Sequence, residues 1–299
     1  MRQAFENPLN PAGGLCYKTA SFKRGSSTDP ATLENGAPTA QPPPRPASAT
    51  PEASSRPPAA AATAVKPELS IVVPVYNEEG ILREAADGLL ERTRKLNVPF
   101  EVIFAENGSR DRTVALLGEL HEAHPEIRYL SCGEPNYGLA LKKGILMAEG
   151  SIVVCDEIDL CDAQFHREAV DILRRGGAEM VIGSKLAKGA KDDRPFLRHF
   201  ATVVINMLLR VVLGFRGTDT HGLKAFLREN LLPVVAACRV DKDLFASEFV
   251  IRAERMGKTV TEIPVTIQEK RKPSINLFRR VPNVLKNLFR LFYIIRIKG

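Results

Sequence analysis

The sequence predicts an α/β fold, a mostly parallel open sheet with helices on both faces. Three observations predict it. Apolar runs and amphipathic stretches alternate as β-α-β-α-β-α-β-α-β between residues 69 and 182, the pattern of stacked βαβ units. The run Ile152-Val153-Val154 is apolar without alternation, as a strand covered on both faces must be. The strand-like runs end in polar or acidic residues, so a ligand crevice is expected at the carboxyl ends of the strands.

Residues 1–66 are dominated by Pro, Ala, Ser and Thr, with Gln41-Pro42-Pro43-Pro44-Arg45-Pro46 among them. So little apolar surface cannot offset ordering entropy, and a disordered tail is expected. A folded domain is expected over 67–275. Leu69 to Val75 reads as its first strand. Tyr76-Asn77-Glu78-Glu79 reads as a loop and helix start, because a helix dipole favours acidic side chains in the first turn. The helix continues from Leu82 to Leu96. Phe100 to Ala105 is the second strand, and Glu106-Asn107-Gly108-Ser109-Arg110-Asp111 is a turn that caps a helix from Thr113 to His121. Ile127 to Ser131 is a third strand, and Asn136-Tyr137-Gly138 opens a helix through Met147. The fourth strand is Ile152 to Val154; a helix at Val170 to Arg175 and a strand at Met180 to Ile182 follow.

The second half changes character. Phe200 to Leu213 is almost wholly apolar. It is too short to span a bilayer and reads as a core helix or an interfacial one. Gly217-Thr218-Asp219-Thr220-His221-Gly222 is a polar turn before the strand-like Leu223 to Leu227. Phe245 to Met256 is a helix carrying Glu248, and Thr259 to Val265 is a strand. A last helix starts near Asn283 and puts Val284, Leu288, Leu291, Phe292 and Ile295 on one face. Lys286, Arg290 and Arg296 flank that face, as snorkelling cations do. Residues 276–299 are therefore expected to form a basic amphipathic helix. It lies on a membrane surface or packs on its own domain.

The formal charge of +7 is unevenly placed. Residues 270–299 carry nine basic residues and no acidic one, while 67–269 are net −5. Basic residues among Leu, Ile and Phe point to an anionic membrane surface more than to nucleic acid. The tail carries no base-reading or stacking pattern, and no nucleic-acid partner is expected. Five cysteines at irregular spacing exclude a disulfide framework and a zinc site, and fit a reducing compartment. No secretory signal and no spanning helix are expected, so the chain is placed at the cytoplasmic face of a membrane.

The chemistry centres on Asp156-Glu157-Ile158-Asp159, directly after the buried strand. Ionised carboxylates cannot enter a core unpaired. They must stand in the crevice, where Glu157 and Asp159 can converge on one hard divalent cation, Mg2+ or Mn2+. An acidic turn is the plainer reading of that triplet alone. Tyr76, Glu78, Glu106 and Asn107 fall on the same edge. The Gly-rich dinucleotide fingerprint and the P-loop are both absent, so a nucleotide here is held by other means. A cation bridging its phosphates is the natural one.

The chain resembles a family 2 glycosyltransferase, and within that family the dolichyl-phosphate mannose synthase and polyprenyl-phosphate glycosyltransferase branch. The resemblance covers roughly residues 68–275. It is carried by Pro74-Val75-Tyr76-Asn77-Glu78-Glu79, Glu106-Asn107-Gly108-Ser109-Arg110-Asp111-Arg112-Thr113, Asn136-Tyr137-Gly138, the acidic strand end, Asp219-Thr220-His221-Gly222 and Glu262-Ile263-Pro264-Val265. It implies the glycosyltransferase A-type fold, a nucleotide-sugar donor of the GDP-mannose or UDP-glucose kind, a divalent metal and an inverting transfer. The implied acceptor is a polyprenyl phosphate. The match puts Pro74, Tyr76 and Glu78 around the donor's base and ribose, with Ala105, Glu106 and Asn107 at a second donor turn. It makes Glu157, Ile158 and Asp159 the metal motif, and Lys185 and Arg271 the phosphate-contacting cations. Glu157 stands where the family has Asp, with Asp156 beside it as a substitute ligand; Cys161 stands where the branch often has a polar ligand, and Glu106-Asn107 where it has an Asp pair.

The implied catalytic set is Asp159, Lys185, Arg271 and Asp219, with Arg194, Arg198 and Lys185 gripping an acceptor phosphate. A phosphate acceptor is already ionised and needs no base; a sugar hydroxyl would need Asp219 or Glu248. His221 is a further ligand or base, or polar surface. Two alternatives stand beside this reading: transfer to a saccharide, and a non-catalytic nucleotide-sugar binding protein.

Overall fold

β-Branched and aromatic residues between turn-forming ones make the strands here, and their pairing decides where the chemistry sits. The computed structural model describes residues 66–158, 162–192, 196–241, 244–267 and 281–297. The order is β1 (Leu69–Val75), α1 (Leu82–Arg94), β2 (Phe100–Glu106), α2 (Thr113–Ala123), β3 (Ile127–Ser131), α3 (Tyr137–Met147), β4 (Ile152–Cys155), α4 (Ala163–Arg174) and β5 (Met180–Ser184). Then come β6 (Lys191–Asp192), α5 (Phe196–Leu213), β7 (Lys224–Leu227), α6 (Arg228–Ala237), α7 (Phe245–Arg255), β8 (Val260–Pro264), β9 (Thr266–Ile267) and α8 (Val281–Phe292). A π-helical turn, Tyr293–Ile297, extends α8.

Seven strands form one sheet in the order β3-β2-β1-β4-β7-β5-β8. All neighbours are parallel except β7, which runs antiparallel to β4 and to β5. β6 and β9 make a separate parallel pair. The expected mostly parallel sheet is present, with helices on both faces. One core layer packs β1, β2, β4 and β5 against α1, α2 and α4, through Leu82, Leu89, Leu117 and Phe165. The other packs the opposite face against α3, α6 and α7, through Ile145, Leu231, Phe245 and Phe249. Each such fully buried side chain contributes about 2 kcal/mol. Close packing of α3 needs Gly144, since a Cβ there would stand 2.5 Å from Val72 Cγ1.

Several boundaries differ from expectation. Glu78 and Glu79 precede α1 rather than opening it, because the Glu78 carbonyl accepts from Ile81 and Leu82 N–H and forms the turn before the helix. Helix α4 starts earlier than its apolar pattern suggested: Asp162 accepts from Gln164 and Phe165 N–H and caps it. α6 was not foreseen, and Pro233 lies inside it. The predicted apolar face of α8 is turned inward: Leu291 and Ile295 are buried, and Leu288 and Phe292 pack on the same core. Most of the expected tail, 1–65, lies outside the described residues, as does 268–280, which holds Arg271.

Candidate functional site

Strands β1, β2, β4 and β5 end at one edge, and β7 starts there. The named side chains stand in two groups along it. Under the first group, Pro74, Ala105 and Leu130 are register partners in the parallel ladder. Pro74 and Ala105 are buried in it. One residue further on, Glu106 is also buried. Its Oε2 accepts from Ser131 Oγ at 2.5 Å and its Oε1 from Ser109 N–H. Asn107 donates its N–H to Val75 O at 2.9 Å, and its Oδ1 accepts from Asn136 N–H. Asn136 in turn caps α3 at Leu139 N–H.

The loop after β1 is tied to the loop after β2 by side chains from both. Asn77 adopts φ 53, a left-handed conformation Asn tolerates. Its Oδ1 accepts from Arg110 N–H at 2.8 Å, and its own N–H donates to Ser109 Oγ at 2.9 Å. Glu78 N–H donates to Thr113 Oγ1, and Glu79 exchanges bonds with Asp111 and Arg112. Tyr76 projects from this clasp with 38% of its surface exposed. The clasp is a rigid two-loop platform with a ring on it.

The second group follows β4. Asp156 is withdrawn: its Oδ2 meets His166 Nε2 at 2.7 Å and its Oδ1 accepts from Glu157 N–H at 2.7 Å, both partners of the His166 pair being buried. It is therefore not the substitute ligand that its place beside Glu157 suggests. Glu157 is exposed and Ile158 is buried. Asp159, the other carboxylate of the motif, lies outside the described residues, as do Arg194 and Arg271. Arg198 is on α5, its side chain likewise outside them. Among the described residues no trio of His, Cys, Asp or Glu makes a ready metal cage. The donor chemistry nonetheless fits a hard cation. Glu157 offers carboxylate oxygen, and burial pushes the neighbouring Cys155 thiol up to about 12, so no thiolate competes.

Across from β4, the turn before β7 is knotted on itself. Asp219 Oδ1 accepts from His221 and Gly222 N–H at 2.8 and 3.1 Å. Glu262 on β8 accepts from Thr218 N–H and Oγ1 and from Asp219 N–H. Ser184 Oγ sits 2.6 Å from Thr218 Oγ1. Gly222 packs on the β5 backbone so tightly that a Cβ would lie 1.8 Å from Gly183 O. Half-buried Lys185 follows β5 beside this turn. His221 is exposed, its ring near Thr220. Glu248 is not at hand as a base. It is fully buried, with Oε2 accepting from Arg239 and Val240 N–H and Oε1 from Arg252 Nε at 2.6 Å.

Two residues at this edge escaped the sequence reading. Lys224 is 3% exposed and donates to Gly222 O at 2.7 Å. Burial lowers its pKa, opposed by Cys155 and then by Asp219 and Glu157. The signal was a lone lysine in an otherwise apolar strand. His166 gave no signal, since a histidine on an amphipathic helix is ordinary.

Residues 70–234 match the sequence profile of Glycosyl transferase family 2. Glycosyltransferase AglD of Haloferax volcanii is 30% identical over 240 residues, covering 78% of this chain and 38% of that protein. Dolichyl-phosphate beta-glucosyltransferase ALG5A of Trichomonas vaginalis is 29% identical over 216 residues, covering 67% of this chain and 66% of that one. The chain thus spans less than two thirds of either relative. Among solved structures, glucosyl-3-phosphoglycerate synthase from Mycobacterium tuberculosis, in complex with Mn2+, UDP and phosphoglyceric acid, matches with TM-score 0.54 at 19% identity. It covers 76% of this chain and 78% of that one, a likeness of fold.

Proposed function

The chain belongs to glycosyl transferase family 2, and we propose that it moves a hexose from a nucleoside-diphosphate sugar to a polyprenyl phosphate with inversion and with help from Mg2+ or Mn2+. The observation that carries this is the meeting, at one sheet edge, of the Tyr76 platform, the exposed Glu157 and the Lys185–Asp219 turn. A nucleoside fits the platform: Tyr76 offers a ring face, and Glu78 acceptor oxygens for ribose hydroxyls. Glu157, with Asp159, would hold the cation, which when bound neutralises charge on the leaving diphosphate. Lys185 and Arg271 add fixed positive charge where that charge grows. The name of ALG5A and the Mn2+ and UDP of the mycobacterial structure support the donor, metal and acceptor classes for those proteins, and we carry them here as a proposal.

The residues favour a phosphate acceptor over a sugar hydroxyl. A hydroxyl must lose its proton to a base. Glu248 is consumed by Arg252 and two amides, and Asp219 spends one oxygen on two more. A lipid phosphate needs neither; Arg194, Arg198 and Lys185 would grip it.

A bilayer contact belongs to the same proposal. Helices α5 and α8 pack together. They leave Val203, Met207 and Val211 on one, and Phe289, Tyr293 and Ile297 along the other, exposed at helical spacing. Val211 is 78% and Phe289 71% exposed, with Lys286, Arg290 and Arg296 exposed beside them. Apolar stripes rimmed by cations fit an anionic membrane surface. No described helix is long and apolar enough to cross a membrane.

Radiolabelled UDP-glucose and GDP-mannose, offered with Mn2+ and polyprenyl phosphate, test the reading. Label is expected in the organic extract; label only in water-soluble product would replace the acceptor, and none at all would remove the activity. Sedimentation with anionic vesicles, lost in Val211→Glu/Phe289→Glu, tests the surface.

A further inference from the structure

His166 is buried and has no part in the transfer proposed above, yet its backbone and its ring reach the two ends of the segment that carries Glu157. Asp156 is where β4 stops pairing: its N–H donates to Val72 O on β1 at 3.0 Å. The next amide, that of Glu157, is taken at 2.7 Å by the Asp156 side chain itself, through Oδ1, and so is withheld from the ladder. The other oxygen, Oδ2, meets His166 Nε2 at 2.7 Å. A carboxylate accepts, so the ring donates through that nitrogen. The segment ends at Asp162, whose Oδ1 caps α4 and whose carbonyl accepts from His166 N–H at 3.1 Å. One helical residue thus holds both ends. α4 is a firm support for it, since Phe165, Ala169, Val170 and Leu173 are buried in the core. A buried pair that only filled space could be apolar at lower cost. Here one oxygen goes to the ring and the other to the amide of exposed Glu157.

We propose that His166 is a positioning residue: acting through Asp156, it fixes the direction in which Glu157 leaves the sheet. This rests on the reading above that Glu157 serves the transfer. With the ring in place, the Asp156 carboxylate is held from one side and keeps its other oxygen on the Glu157 amide. Without the ring, a buried carboxylate oxygen loses its donor and turns to find another, because leaving it unsatisfied is costly. The Glu157 amide is then released. Displacing a reacting group by about 1 Å can cost about a hundredfold in rate, so one buried donor away from the chemistry can govern it.

The test compares full-length wild type, His166→Leu, His166→Gln and Glu157→Ala by two readouts: hydrogen exchange of the Glu157 amide without ligand, and label passed from UDP-glucose or GDP-mannose to polyprenyl phosphate with Mn2+. His166→Leu keeps the bulk and removes the donor; His166→Gln puts an N–H where Nε2 stood. In His166→Leu the Glu157 amide is expected to exchange about tenfold faster, and kcat per folded molecule to fall at least about tenfold. His166→Gln should restore most of both. Where His166→Leu gives no cooperative melt, Asp156→Asn/His166→Leu takes its place, since it leaves no unpaired charge and should show the same two losses. Wild-type exchange in a folded variant lacking the donor overturns the inference. So does faster exchange with wild-type kcat, which makes the pair a structural tie, and so does failure of every variant lacking the donor to fold. In each of these cases inactive Glu157→Ala leaves the functional reading standing. Full transfer by Glu157→Ala, or no transfer by wild type, overturns that reading and this inference together.

Discussion

The two ends of the sheet use the same residue type for opposite tasks. β2 carries a glutamate at each end. At the amino end Glu101 is buried against Arg128, with Oε2 2.6 Å from Nη1, and its Oε1 accepts from Ser70 Oγ and Glu149 N–H. Glu179, before β5, likewise meets Lys258, Asn230 and Thr259, and Glu68 meets Arg174. At the carboxyl end Glu106 accepts from a hydroxyl and an amide, Asp219 from amides, and Glu157 stands exposed. Lys224, near that end, bonds the Gly222 carbonyl. Carboxylates locked to arginine and lysine are structural ties. Glu106 and Asp219 are held by neutral donors instead, and it is at this edge that the proposed ligand would complete the charge balance.

The sharpest way to break that contrast is to remove one glutamate from each edge. Glu157→Ala should lower sugar transfer by at least about a hundredfold, roughly 3 kcal/mol of transition-state stabilisation. Its urea midpoint should stay within experimental scatter of wild type; a large stability loss would make Glu157 a structural tie too. Glu101→Ala should do the reverse. Removing the acceptor of the Ser70 hydroxyl and the Glu149 amide, and one of the two carboxylates that meet Arg128, should cost about 3 kcal/mol in urea unfolding, with transfer per folded molecule unchanged.

A smaller effect tests the amino edge by pH. Hydrogen bonds from Asn230 and Thr259, then Lys258, pull the Glu179 pKa from 4.5 down to about 2. A depressed carboxylate contributes stability that is complete above its unfolded value and lost as the folded protein is titrated toward the lower one. Stability should therefore fall between pH 4.5 and 2, and Glu179→Gln should flatten that segment of the profile. An identical slope in the variant would assign acid lability to other carboxylates. The smallest change is expected at Arg94, half-exposed and 2.8 Å from Glu126. Arg94→Ala should cost no more than about 0.5 kcal/mol, and less in high salt.

Much of this was legible in the residues. Alternating apolar runs placed the first five strands of the main sheet in chain order, and the shift to polar residues marked their carboxyl ends. Asn77, Asn107 and Asn136 were readable as turn and cap residues because their preference is local. Misreadings came where a partner was remote. Asp156 resembled a ligand until His166, ten residues on, closed over it. Glu248 resembled a base until Arg252 and the amides of Arg239 and Val240 took both its oxygens.

The sequence alone thus settled what depends on neighbours along the chain: strand and helix alternation, the polar residues at the strands' carboxyl ends, and the family. Which charged groups remain at a ligand's disposal was decided only in three dimensions. β7 enters antiparallel between β4 and β5, and that one insertion buries Lys224 between Cys155 and Ile182, bonded to the Gly222 carbonyl of the turn that Asp219 organises. Pairing between distant segments depends on the whole sheet's burial rather than on any local preference, and burial is what pulls the Lys224 pKa down.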